Sequence, residues 1–100
     1  SMTLKELQKE ILENKKRQGF NTTDMNEEFC HLNAEVGEAY DAWFRDLETF
    51  PEELADVAIF LLGIAEIKGI DLQTEIEKKV EINKNRKCEV NKLGHCVHKK

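Results

Sequence analysis

Between Leu54 and Ala65 the chain carries a single charged residue, Asp56, in Leu54-Ala55-Asp56-Val57-Ala58-Ile59-Phe60-Leu61-Leu62-Gly63-Ile64-Ala65. A segment of this length that is apolar nearly all round reads as a buried helix. An ionised Asp inside it needs a partner or a metal ion to offset its desolvation. Glu53 stands three residues earlier, and that spacing sends both carboxylates from one face of a helix. A second pair with the same spacing, Glu35 and Glu38, lies in Leu32-Asn33-Ala34-Glu35-Val36-Gly37-Glu38-Ala39-Tyr40. Four carboxylates converging from two helices make a hard, oxygen-rich site suited to Mg²⁺, with Mn²⁺ as a substitute. Acids in a first helical turn also suit the helix dipole without any function. A chain with 20 Asp and Glu produces such spacings by chance. The apolar setting of Asp56 is what favours the metal reading.

One hundred residues make one domain with a small core, which oligomerisation would help. The net charge is −5 with both signs mixed, which argues against binding a nucleic-acid polymer. No apolar run reaches the ~20 residues of a membrane span, and no signal-peptide pattern is visible. Ser1 ahead of Met2 is expected to be a cloning remnant. Cys30, Cys88 and Cys96 are odd in number and irregular in spacing, so no disulfide framework is expected and a reducing cytoplasm is the simplest setting.

Taken in order, Thr3-Leu4-Lys5-Glu6 is a capping box opening a first helix that Gly19 ends. Lys15, Lys16 and Arg17 suit the dipole at its end, or a phosphate. Asp24-Met25-Asn26-Glu27 is a second capping box. The second helix carries Met25, Phe29, Leu32, Val36, Ala39, Tyr40 and Trp43 on one apolar stripe, with His31, Glu35 and Glu38 together on its flank. Gly37 leaves room for a ligand or a second backbone. Thr49 caps a third helix, with Pro51 in its first turn and Gly69 as its stop. Asp71 caps a fourth. Its stripe begins with Leu72 and Ile76 and continues as Lys79, Asn83 and Arg86, which either line a cleft holding anions or snorkel from the bundle end. The tail is expected to fray or pack on a partner. Its Cys88, His95, Cys96 and His98 match no usual zinc spacing.

Cations near four carboxylates point to a polyphosphate as the third party. A metal-bound water could attack phosphorus, with one carboxylate taking its proton. Phe20, exposed in a loop, could stack on a base. His31 is either a partner to the acid cluster or a surface residue. A carboxylate-bridged di-iron bundle wants two Glu-x-x-His elements, and only Glu28-x-x-His31 is present.

Gly19-Phe20, Glu35-x-x-Glu38, Glu53-x-x-Asp56 and Lys79-x-x-x-Asn83-x-x-Arg86 together resemble the MazG-like nucleoside triphosphate pyrophosphohydrolases, from about Leu7 to Lys87. The resemblance implies an all-α, four-helix MazG-like bundle over residues 1–87, with 88–100 a C-terminal tail. It implies a homodimer or homotetramer in which helices of two subunits complete each site. It also implies Mg²⁺-dependent hydrolysis of a nucleoside triphosphate to the monophosphate and pyrophosphate by water attack at the α-phosphorus, in nucleotide-pool housekeeping. Glu35, Glu38, Glu53 and Asp56 carry over as metal ligands, with Glu38 or Glu35 orienting the water. Lys79, Asn83 and Arg86 carry over as substrate contacts. The family's first motif often begins with a doubled Glu, and here that position is Ala34. A dUTP or phosphoribosyl-ATP pyrophosphohydrolase, or a non-catalytic helical interaction module, are the alternatives.

Overall fold

The computed structural model describes residues 1–98, so the end of the expected tail, residues 99 and 100, lies outside the described residues. Four helices follow in order: α1 (Leu4–Gln18), α2 (Met25–Phe44), α3 (Phe50–Ile67) and α4 (Leu72–Lys84). Their ends fall where local chemistry places them. Thr3 and Glu6 close a reciprocal capping box on α1, and Gly19 ends it in the left-handed region at φ 74°. Asp24 caps α2 by accepting from the Asn26 and Glu27 amides. The Glu27 carboxylate faces His31 at 3.5 Å instead of turning back to the cap. Thr49 precedes α3 without a side-chain cap bond, and Pro51 sits in the first turn, where its missing N–H costs nothing. Asp71 caps α4 by accepting from the Thr74 amide.

α3 is the central element, packed against both α1 and α2. Its last turns hold part of the core, where Leu62, Gly63, Ile64 and Ala65 are buried, and Ala39 and Ala42 are buried near the other end, toward the α2–α3 connection. Gly63 lets α1 approach closely, since a Cβ there would meet the Ile11 side chain at 3.4 Å. Two buried polar groups tie α1 into this core. Gln8 donates to the Ile70 carbonyl at 2.8 Å and to Glu66 at 3.2 Å, and accepts from the Leu72 amide at 3.0 Å, joining α1 to the α3–α4 turn. Lys15 Nζ meets Glu28 Oε1 at 2.6 Å, with the Glu28 side chain 1% exposed. The Glu28 carboxylate also accepts from Asn21 at 3.1 Å, and Lys15 lies 5.0 Å over the Phe60 ring. Lys15 is therefore neither a dipole-serving surface residue nor a free phosphate ligand.

Three expectations are corrected. The α2 stripe is only partly core in the single chain: Ala39 is buried, but Tyr40 is 62% and Trp43 59% exposed. α3 is likewise not buried all round, with Leu54, Ile59 and Leu61 exposed. The tail is an antiparallel hairpin, β1 (Cys88–Val90) against β2 (Cys96–His98), and not a frayed end. Its turn forms because Asn91 accepts from the Leu93 and His95 amides and Gly94 takes a positive φ. Cys88 and Cys96 form a disulfide across it, with Cα atoms 5.5 Å apart, so the hairpin offers no thiolate pair to a soft metal. Among the described residues no helix is long and apolar enough to cross a membrane.

Removing one partner of the Lys15–Glu28 pair leaves the other charge buried. Glu28→Ala is expected to lower the unfolding free energy by about 3–5 kcal/mol. The double change Lys15→Met with Glu28→Leu should cost clearly less. Urea denaturation of the three proteins checks this, and a double variant no better than Glu28→Ala would contradict it.

Candidate active site

The short 45–49 connection turns α3 back along α2, and the two antiparallel helices set their polar residues opposite one another in successive rungs. Glu38 of α2 faces Glu53 of α3, and Glu35 faces Asp56. The next rung is His31 stacked on Phe60, ring centroids 5.5 Å apart. Each acidic pair was spaced to share a helix face, and the antiparallel packing brings the two faces together.

One carboxylate oxygen from each of Glu35, Glu38 and Glu53 lies within 4.8 Å of the others. Asp56 is close enough for its charge to act on both Glu35 and Glu53, and it is half-buried rather than enclosed. Partial burial lifts the Glu35 carboxyl above its ordinary range, and its hydrogen bond with Glu38 and the charges of Glu38, Asp56 and Glu53 push the same way. Glu53 is raised by desolvation first and then by Glu38, Asp56 and Glu52. Glu35 Oε2 and Glu53 Oε2 are buried without a hydrogen-bond partner. Buried acceptors without donors, in a set made only of carboxylates, fit one or more hard divalent cations.

Beside the acids lies a groove of about 410 Å³ between the α1–α2 loop and α3. Phe20 and His31, both expected near substrate, line it, together with Phe60 and the inner pair Lys15 and Glu28. The groove begins one helical turn beyond the acids, since His31 precedes Glu35 by four residues and Phe60 follows Asp56 by four, about 6 Å along each helix axis. Lys79, Asn83 and Arg86 are placed differently. α4 rests mainly on α1, and Lys79 and Asn83 on it and Arg86 just beyond it are exposed. Gly37 faces open space. Phe60 carries no site signal in the sequence, and spacing alone cannot pair Lys15 with Glu28 across the α1–α2 loop.

The chain is similar to the MazG-like pyrophosphohydrolase of cyanophage S-2L, solved with dGDP and three catalytic Mn²⁺ ions per active site. The TM-score is 0.74 at 28% identity, and all of both chains is covered. No family model and no curated protein matches the chain.

The raised carboxyls fix the sign of one pH effect. Glu35 and Glu53 hold protons in the folded state at pH values where the unfolded chain has lost them, so their contribution to stability is full below the ordinary carboxylate pKa and is lost as pH rises through the folded values. The metal-free protein should therefore melt lower as pH rises just above the carboxylate range, and Glu35→Gln should flatten that fall and raise the melting temperature at neutral pH. Thermal melts in chelator across this range check it. A Glu35→Gln protein that melts lower at neutral pH would contradict the mutual repulsion of these acids. With its acids, groove and helix order in place, the chain has the fold of the MazG-like pyrophosphohydrolases.

Proposed function

We propose that this protein is a divalent-metal-dependent nucleoside triphosphate pyrophosphohydrolase, releasing the monophosphate and pyrophosphate by attack of water at the α-phosphorus. The observation that carries the reading is the cluster of Glu35, Glu38 and Glu53 across α2 and α3, with Asp56 close enough to act on two of them and two buried, unpartnered oxygens, one turn from an aromatic groove. A non-catalytic interaction module has no use for such oxygens. The similarity to a protein holding Mn²⁺ and dGDP supports the same reading.

Glu35, Glu38, Glu53 and Asp56 are the residues to hold the metal, Mg²⁺ or Mn²⁺. Bound there, divalent ions neutralise phosphate charge and lower the pKa of a coordinated water toward neutrality. Glu38, the most exposed member of the clustered three, is placed to orient the attacking water and take its proton. Phe20 and His31, which line the groove, are the residues we assign to the base. Lys79, Asn83 and Arg86 can meet the phosphates of a site only if α4 of one subunit reaches the acids of another.

That requirement agrees with the surface. Val36, Tyr40, Trp43 and Leu54 rim an apolar groove of about 440 Å³ on the open side of α2 and α3. Exposed apolar area of this kind marks an interface, and a second copy of the chain is the occupant that would also deliver α4. Nucleotide-pool housekeeping is the role consistent with this chemistry.

Incubation with a panel of nucleoside triphosphates, with metal and with chelator, tests the reaction. The expected products are monophosphate and pyrophosphate, formed only with metal, by a protein that sediments as a dimer or tetramer. Asp56→Ala should abolish turnover while leaving the helical content unchanged. Release of diphosphate and phosphate would move the attack to the γ-phosphorus and overturn the mechanism.

A further inference from the structure

The groove beside the acids is not neutral in what it offers a base. Its two cationic or amide side chains are already committed. Lys15 is held by Glu28 at 2.6 Å, and the Asn21 amide donates to Glu28 at 3.1 Å and to the Asp24 carbonyl at 2.8 Å. The Asn21 oxygen is also used, accepting from the Thr23 and Asp24 amides. The charged group left at the groove wall is the Glu27 carboxylate, half exposed and 3.5 Å from His31 Nε2. Phe20, 58% exposed across the groove, supplies an apolar plate on which a base can stack. With the His31 ring turned to Glu27 and stacked on Phe60, the charged group this groove offers to whatever stacks on Phe20 is a hydrogen-bond acceptor.

From this we infer that the groove selects the base by its donor edge, with Glu27 as the specificity-determining residue and guanine as the favoured base. The inference rests on the proposed pyrophosphohydrolase reading and concerns the substrate of that same site. Guanine carries an imino N–H and an amino group side by side, which a carboxylate accepts together as two parallel charge-assisted bonds. Cytosine and adenine present one amino group each. Uracil and thymine flank their single N–H with carbonyl oxygens, which a carboxylate repels. A nucleotide with its base at Glu27 and its phosphates on divalent ions that Glu35 and Asp56 would hold would run along the rungs of α2 and α3. The Lys15–Glu28 pair has a positioning part in this arrangement: it consumes the donors that would otherwise welcome a carbonyl.

Calorimetric titration of the intact protein with dGDP and with dUDP, both in Mn²⁺, measures the selection without turnover. dGDP should bind roughly ten- to a hundredfold more tightly, the range expected for one two-point base contact. Glu27→Gln replaces one acceptor with a donor and should collapse that ratio. A merely structural role for Glu27 would weaken both ligands alike. Equal binding of dGDP and dUDP by the wild type, or an unchanged ratio in Glu27→Gln, would overturn the inference. Steady-state kinetics with dGTP and dUTP separate this result from the wider reading. Turnover of both at equal kcat/KM sinks the base selection alone, whereas absence of turnover with selective dGDP binding sinks the hydrolase reading and leaves the groove assignment standing.

Discussion

Packing α2 against α3 forces carboxylates together, and most of the molecule's other features follow from how that repulsion is accommodated. Two antiparallel helices set Glu38 against Glu53 and Glu35 against Asp56. Desolvation and like charge both disfavour ionisation there, and two oxygens have no donor. Such an arrangement costs stability in the metal-free chain. It is tolerated because the far half of α3 is anchored elsewhere. Leu62 to Ala65 are buried, Gln8 satisfies the α3–α4 turn, and Lys15 with Glu28 locks α1 to α2. The charged rungs lie between two buried regions, Leu62 to Ala65 toward the end of α3 and Ala39 with Ala42 toward the end of α2.

The same helix pair grades the chemistry along its length. Acidic rungs suited to cations give way after one turn to the His31–Phe60 rung, and then to the loop that presents Phe20. Phosphate-binding and base-binding regions are thus offset along two rigid elements rather than assembled from separate loops. The opposite sides of α2 and α3 are apolar and open, and α4 stands exposed with Ile76, Val80 and Ile82 uncovered. A single chain leaves both surfaces unfinished.

Much of this was legible in the residues, for local reasons. The capping box at Thr3 and Glu6, the stop at Gly19 and the proline in the first turn of α3 are short-range signals, and all appear at those places. The convergence of the four acids was legible because a shared-face spacing and a short connection leave two helices few ways to pack. What escaped was long-range or depended on which face a neighbour chose. The basic run at Lys15 looked like a dipole effect, because nothing in the sequence couples it to Glu28 across a loop. The aromatic stripe of α2 reads equally as core or interface, because apolar periodicity does not distinguish the two. The hairpin was missed because its signal, Asn91 followed by Gly94, sits between strands of three residues each.

The central claim is that the rungs of α2 and α3 hold divalent metal. Its most direct test is titration with Mn²⁺ in the presence of dGDP, followed by the loss of the free-ion electron paramagnetic resonance signal. The account predicts saturable uptake by the wild-type protein and its loss in Glu53→Gln with Asp56→Asn, at unchanged helical content. Equal Mn²⁺ uptake by both proteins would place the metal elsewhere and contradict the account.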